Sequence, residues 1–299
     1  MRLASYTIDG RPSYGAVVAT GDGGHGGDGD AIVDLRGRLP GVDSLDALIA
    51  GARLDECREV VESAAPDHGV GDVRIERPIA RPGKILCIGV NYGGRNAEYR
   101  DGSAEHGNPS VFVRFPDSLT AHGADLVRPP ESDQLDYEGE IVAVIGRRGR
   151  RIAEASARDH IFGLTLGNEG TIRDWVRHAK FNVTQGKNWE SSGSVGPWIV
   201  TLDEIGPFED LHLTTRVNGE LRQDDTPASM AFPIEHQIAY LSTFCTLEPG
   251  DLIFTGTPTG AGARFDPPKF LRPGDVVEVS VPELGVLRNG IRDERLAPA

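Results

Sequence analysis

The stretch LDYEGEIVAVIG, residues 135–146, carries acids at alternate positions: Asp136, Glu138 and Glu140. On an extended strand alternate side chains share a face, so the three carboxylates point the same way. Two carboxylates about 7 Å apart repel by about 2.4 kcal/mol at an effective dielectric near 20, enough to push one of them well above the usual carboxylate range. A divalent cation between them turns that cost into a binding site. Oxygen ligands favour a hard ion, Mg2+, Mn2+ or Ca2+, over zinc. A solvent-facing strand end would show the same spacing, so a third oxygen ligand is what separates the two readings. Glu169, in LTLGNEGTIRDW, is the candidate: it follows a second apolar run at 161–166 and would converge from a neighbouring strand. An acid in the first turn of a following helix, favoured by the helix dipole, is the alternative for that position.

These acids need strands beneath them. The unbroken apolar run 141–145 reads as a strand buried on both faces. Further strands are expected at 3–8, 14–18, 31–35, 84–92, 110–114, 161–166, 198–200, 211–217, 251–254 and 275–281. Helices are expected at 44–50, 55–63 and 233–244, the last with Ile234, Ile238 and Leu241 at helical spacing, and another is expected to start near Thr171. Strands outnumber helices, which predicts an α+β, mainly β architecture. Residues 1–75 read as a small N-terminal α/β domain. ERPIARPG at 76–83 reads as a linker, and 76–299 as the catalytic domain. The glycine-rich segment 21–30 lacks the following helix of a phosphate loop and reads as a hairpin tip. The polar segment 93–109 reads as a mobile loop or short helix.

Composition narrows the function. The 299 residues hold 31 Lys+Arg against 45 Asp+Glu, a formal net charge of -14, which argues against nucleic acid or an anionic membrane as partner. The basic run Arg147, Arg148, Arg150 and Arg151 then reads as a solvated turn after a buried strand. An anionic substrate would need a local cation, a metal or a few placed Arg and Lys. Cys57, Cys87 and Cys245 are widely spaced, which excludes a thiolate zinc site and fits a reducing compartment. The opening MRLASYT has no apolar run, so a cytoplasmic location is expected.

Three separated segments, KILCIGVNY, LDYEGEIVAVIG and NEGTIRDW with TQGKNWESSGSVGPWIVT, together resemble the fumarylacetoacetate hydrolase family. VNGELRQDDTPASM, AYLSTFCTLEPGDLIFTGTPTGAG and LRPGDVVEVSV continue the resemblance in register over about residues 80–290. It implies a mixed β-roll catalytic domain behind a small N-terminal domain, a homodimer, and a divalent metal, commonly Mg2+. It also implies chemistry on small anionic 2-oxo or 2,4-dioxo acids. Its two strand glutamates match Glu138 and Glu140, and its third ligand, typically an Asp after Asn, matches Glu169 after Asn168. Its active-site lysine matches Lys187, its arginine matches Arg173, and the Gly-Thr that meets the substrate carboxylate matches Gly256-Thr257. The resemblance further implies that the metal acts as a Lewis acid on the 2-oxo acid and that Lys187 adds positive charge or assists proton transfer.

The pattern departs from the family on the segment after Asn91-Tyr92. Glu98 matches the glutamate of the hydrolytic His-Glu pair, but Arg95 stands where the histidine would be, and an arginine is no general base at neutral pH. A glutamine that often follows the Arg-Asp pair is replaced by Val176. Either His106, His122 or His178 supplies a base, or the reaction needs no activated water, with Arg95 clamping a substrate carboxylate and Glu98 or Lys187 moving a proton. C–C bond hydrolysis of the fumarylacetoacetate or acylpyruvate type remains the leading expectation, in aromatic or sugar-acid catabolism. An isomerase or decarboxylase of 2-oxohept-ene-dioates is the alternative. A non-catalytic protein that binds metal and acid stands third.

Overall fold

The computed structural model describes residues 1–20, 29–94, 107–180 and 182–295. Its centre is the strand Gly139–Ile145, buried at every position. It is hydrogen-bonded on one edge to Ile161–Asn168, antiparallel with Ile141 opposite Leu166, and on the other to Leu252–Phe254. Ile141, Ala143 and Ile145 join one hydrophobic cluster, while Val142 and Val144 join a second on the opposite face with Phe254. Two faces that both meet a core explain why the apolar run does not alternate.

Among the described residues this strand lies inside a mixed twelve-stranded sheet. Leu252–Phe254 continues in parallel to Ile85–Gly89, which pairs with Ser110–Val113. On the other side Ile161–Asn168 pairs with Gly193–Thr201, and Arg2–Ile8 pairs with Gly193–Thr201 in turn. The N-terminal strands Arg2–Ile8, Arg11–Ala19 and Asp30–Asp34 thereby extend the same sheet. The stretch 76–83 carries no regular element. A second sheet of five strands, with Glu220–Asp225, Leu213–Val217, Val276–Val281 and Gly285–Asp293 in that order, packs against the first. They approach closely at Gly139, where a Cβ would lie 2.0 Å from Thr215 Oγ1. A glycine is required there, between the two acids.

The helices are few and short. Leu45–Ala50 starts on Ser44, whose hydroxyl accepts the Ala47 N–H. Ile234–Phe244 buries Ile234, Ile238 and Leu241 as their spacing predicts. Among the described residues no helix is long and apolar enough to cross a membrane. Arg147, Arg148, Arg150 and Arg151 are exposed after the central strand, as a solvated turn should be.

Several elements differ from expectation. No helix begins at Thr171: Thr171–Ile172 pairs with Leu135–Asp136, and the Arg173 N–H is taken by Gln134 O at 3.1 Å, so only the single turn Asp174–Arg177 follows. The strands Glu220–Asp225 and Gly285–Asp293 were masked by polar residues on their exposed faces. Gly193–Thr201 is longer than its apolar centre suggests. Most of the expected hairpin tip at 21–30 and of the expected loop at 93–109 lies outside the described residues.

Candidate active site

The register of the central strands places the acids. Gly139 lies opposite Asn168, and the Glu169 N–H donates to Glu138 O at 2.7 Å, so Glu138 and Glu169 face each other where the ladder ends. Glu140 is two residues further along the same face. Each of the three offers a carboxylate oxygen within 4.8 Å of the others, and all three side chains are buried. Asn168 Oδ1 accepts the Glu138 N–H at 2.9 Å, and Glu140 Oε2 accepts the Gly256 N–H at 2.8 Å. Among the described residues Glu169 Oε1 is buried with no hydrogen-bond partner. An orphaned anionic oxygen beside two other buried carboxylates is what a site for a hard divalent cation requires. The donor set therefore fits Mg2+, Mn2+ or Ca2+, with Glu138, Glu140 and Glu169 as its holders. Burial first, then the charges of Glu169 and Glu138, holds the Glu140 carboxyl well above the usual carboxylate range.

Two cations meet this cluster. Lys187 closes the five-residue helix Val183–Lys187, and its ammonium donates to Glu138 and, at 3.1 Å, to Glu169 Oε2. It also lies 5.2 Å from the centre of the Phe112 ring. Burial alone would lower its pKa, but the pull of Glu138 and then Glu169 outweighs burial and raises it. Arg173 spans two acids, its Nε donating to Asp136 Oδ2 at 2.6 Å and its Nη2 to Glu138 Oε1 at 2.7 Å. Asp136 thus shares the face of the two glutamates but turns to Arg173. It accepts three further N–H bonds, from Tyr137 at 2.9 Å, Gly262 at 2.7 Å and Ala263 at 3.0 Å. The alternation of acids was visible in the sequence, whereas this duty of Asp136 depends on residues brought in from 262–263.

Gly256 and Thr257 lie against the same strand. Gly256 has φ +102, and a Cβ there would meet Asn91 Cβ at 2.7 Å, so the turn that aims its N–H at Glu140 needs glycine. The Thr257 hydroxyl donates to Gly139 O at 2.8 Å and accepts from Gln223 Nε2 at 2.8 Å. Its proton is therefore committed to the backbone between the two glutamates. Gln223 gave no sign of a role in the sequence, since it sits in a polar strand of the second sheet.

A cavity of about 750 Å³ opens onto this group, lined by the triad, Arg173, Lys187 and Thr257 and walled on one side by Leu86, Ile88, Val111 and Phe112. Arg177 and Arg264 add two more cations to its lining. His122 and His178 do not reach it: His122 accepts the Arg288 N–H at 3.2 Å in another cavity, and His178 stacks on Trp175. Arg95, Glu98 and His106 lie outside the described residues.

Comparison with known proteins decides the kinship. The sequence model of the fumarylacetoacetate (FAA) hydrolase C-terminal domain matches residues 84–292. The chain belongs to the fumarylacetoacetate hydrolase family. This family member is similar to oxaloacetate tautomerase YisK of Bacillus subtilis (strain 168), with 42% identity over 228 residues, 75% of each protein. It is 34% identical over 270 residues to the mitochondrial oxaloacetate tautomerase FAHD2B of Bos taurus, covering 89% of this chain and 85% of that one. Among solved structures it matches a probable 2-hydroxyhepta-2,4-diene-1,7-dioate isomerase from Mycobacterium abscessus. The TM-score is 0.80 at 30% identity, over 99% of this chain and 100% of the other. It is thus a fumarylacetoacetate hydrolase family enzyme with that family's mainly β fold.

Proposed function

We propose that this family enzyme is a divalent-metal-dependent isomerase of small 2-oxo acids, and specifically a keto–enol tautomerase of a 2-oxo dicarboxylate such as oxaloacetate. The observation that carries the reading is the Lys187 ammonium held between Glu138 and Glu169 at the floor of the cavity. The names of its tautomerase and isomerase relatives support the choice of reaction. A metal bound by Glu138, Glu140 and Glu169 would supply Lewis-acid stabilisation of negative charge on the 2-oxo oxygen.

The chain's own residues do the rest. In the metal-free protein burial is outweighed by Glu138 and then Glu169, which hold Lys187 as an ammonium; as such it supplies a fixed positive charge beside the reacting oxygen and a proton that it can donate. Arg173, locked by Asp136, presents a guanidinium at the cavity wall where an acid group of the substrate would lie. The apolar wall of Leu86, Ile88 and Phe112 excludes water from the carbon that is protonated. Tautomerisation shifts one proton from the enol oxygen to C3 and consumes no other reactant, so it needs no activated water. It therefore suits a chain with Arg95 where the hydrolytic histidine would stand.

The test is the decay of enol-oxaloacetate absorbance in the ultraviolet, with enzyme and saturating Mg2+ or Mn2+. Acceleration to the keto acid alone, abolished by a chelator, is expected. Two acid products from an acylpyruvate would establish the C–C bond hydrolase instead, and CO2 release a decarboxylase. No acceleration with either ion would reject the tautomerase.

A further inference from the structure

Gly139, the residue between Glu138 and Glu140, has one backbone edge that no strand covers among the described residues. Leu252–Phe254 pairs with the central strand only at 142–144, and the Thr255 N–H reaches Ile141 O at 3.2 Å. Beyond that point side chains take over. Gln223 Oε1 accepts the Gly139 N–H at 2.9 Å, and the Thr257 hydroxyl donates to Gly139 O at 2.8 Å. Gln223 Nε2 joins the two by donating to Thr257 Oγ1 at 2.8 Å and to Pro258 O at 2.9 Å. Gln223 is 1% exposed and comes from the second sheet.

We infer that Gln223 is a positioning residue for the metal site. With Thr257 it replaces a missing strand neighbour and fixes the peptide from which Glu138 and Glu140 diverge. The reason is geometric. Both acids hang from the backbone on either side of Gly139, and an unpaired peptide there could rotate and swing the two carboxylates out of register with Glu169. Gly139 has no side chain of its own to resist this, because the second sheet approaches too closely for a Cβ. The amide of Gln223 suits the task because it accepts with one atom and donates with the other. The same polarity fixes the Thr257 hydroxyl: since Gln223 donates to it, its single proton must go to Gly139 O. The inference rests on Glu138, Glu140 and Glu169 being the metal ligands.

Titration calorimetry with Mn2+ on the full chain tests it, comparing wild type, Gln223→Met, Thr257→Val and Glu138→Ala, with melting temperatures alongside. Gln223→Met keeps the volume and removes every hydrogen bond, and about a tenfold weaker Mn2+ affinity is expected, as for other residues that orient ligands. Thr257→Val removes the other half of the clamp and should weaken binding comparably. A double variant combining Gln223→Met with Thr257→Val, measured in the same way, should lose less than the sum, since the two residues share one hydrogen bond. A lowered melting temperature with Mn2+ affinity within twofold of wild type would make Gln223 merely structural and overturn the inference. Should Gln223→Met fail to fold, Thr257→Val decides alone on the same criterion. Unchanged Mn2+ affinity in Glu138→Ala would sink the metal site itself, an outcome distinct from failure of the Gln223 clamp.

Discussion

The Glu169 backbone N–H donates to the Glu138 carbonyl oxygen at 2.7 Å, so the last rung of the central ladder sets two acidic side chains face to face. Side-chain position here follows from backbone pairing, which makes the pair hard to displace without moving the sheet. Each glutamate would supply about a third of the ligand charge that the chain offers a divalent ion. Glu138→Ala is expected to abolish metal binding in calorimetry and to reduce turnover to background. The change takes one acid from Arg173 and Lys187, which keep Asp136 and Glu169 respectively, so a stability loss is expected and the melting temperature is read alongside to show that the variant is folded. Full metal affinity in this variant would contradict the assignment.

Lys187 should show the opposite sign. Its ammonium occupies Glu138 and Glu169, the same carboxylates that a metal would claim, so it competes for the ligands while it assists the chemistry. Lys187→Met is expected to bind Mn2+ at least as tightly as wild type and to lose about 10²-fold or more in turnover, the usual effect of removing one stabiliser of developing negative charge. Turnover and metal affinity falling together would place Lys187 in a structural role.

Much of the triad was legible because it depends on local rules. Alternation along one strand fixes Glu138 and Glu140 on a common face, and an apolar run ending in Asn168-Glu169 marks the strand that brings the third acid. The rest depends on contacts distant in sequence. Asp136 turns to Arg173 because the amides of Gly262 and Ala263 arrive to hold it. Thr171 fails to begin a helix because Asp136 pairs with it first. Lys187 is buried on a helix of five residues, too short to show any periodicity. Gln223 meets Gly139 only because two sheets close on each other.

Asp136 offers a way to perturb the guanidinium without touching the triad. It is fully buried and accepts from Arg173, Gly262 and Ala263. Asp136→Asn replaces a charge with an amide that presents donors to donors. We expect a stability loss of about 3 kcal/mol, typical of breaking one side of a buried ion pair. KM for the acid should rise about tenfold as Arg173 loosens, while Mn2+ affinity should stay within about threefold. Thermal melting, steady-state kinetics and calorimetry read the three effects separately. A large drop in Mn2+ affinity would mean that Asp136 belongs to the metal's own shell.

Glu140 links the metal to protons. In the metal-free protein, burial and the neighbouring Glu169 and Glu138 raise its pKa well above the ordinary 4.5. A raised folded-state value means that this group contributes stability below pH 4.5 and that the contribution is lost as pH rises through the folded value. The metal-free protein should therefore lose stability from this group as pH rises through that window. A cation needs the carboxylate, so binding expels the proton, and affinity should climb up to about tenfold per pH unit until Glu140 ionises unaided. Calorimetry of Mn2+ binding in two buffers of different ionisation enthalpy counts the protons released. Close to one proton is expected in the wild type where Glu140 is protonated, and close to none in Glu140→Gln, which should also bind the ion more weakly. Equal proton counts in the two proteins would place the released proton on another group.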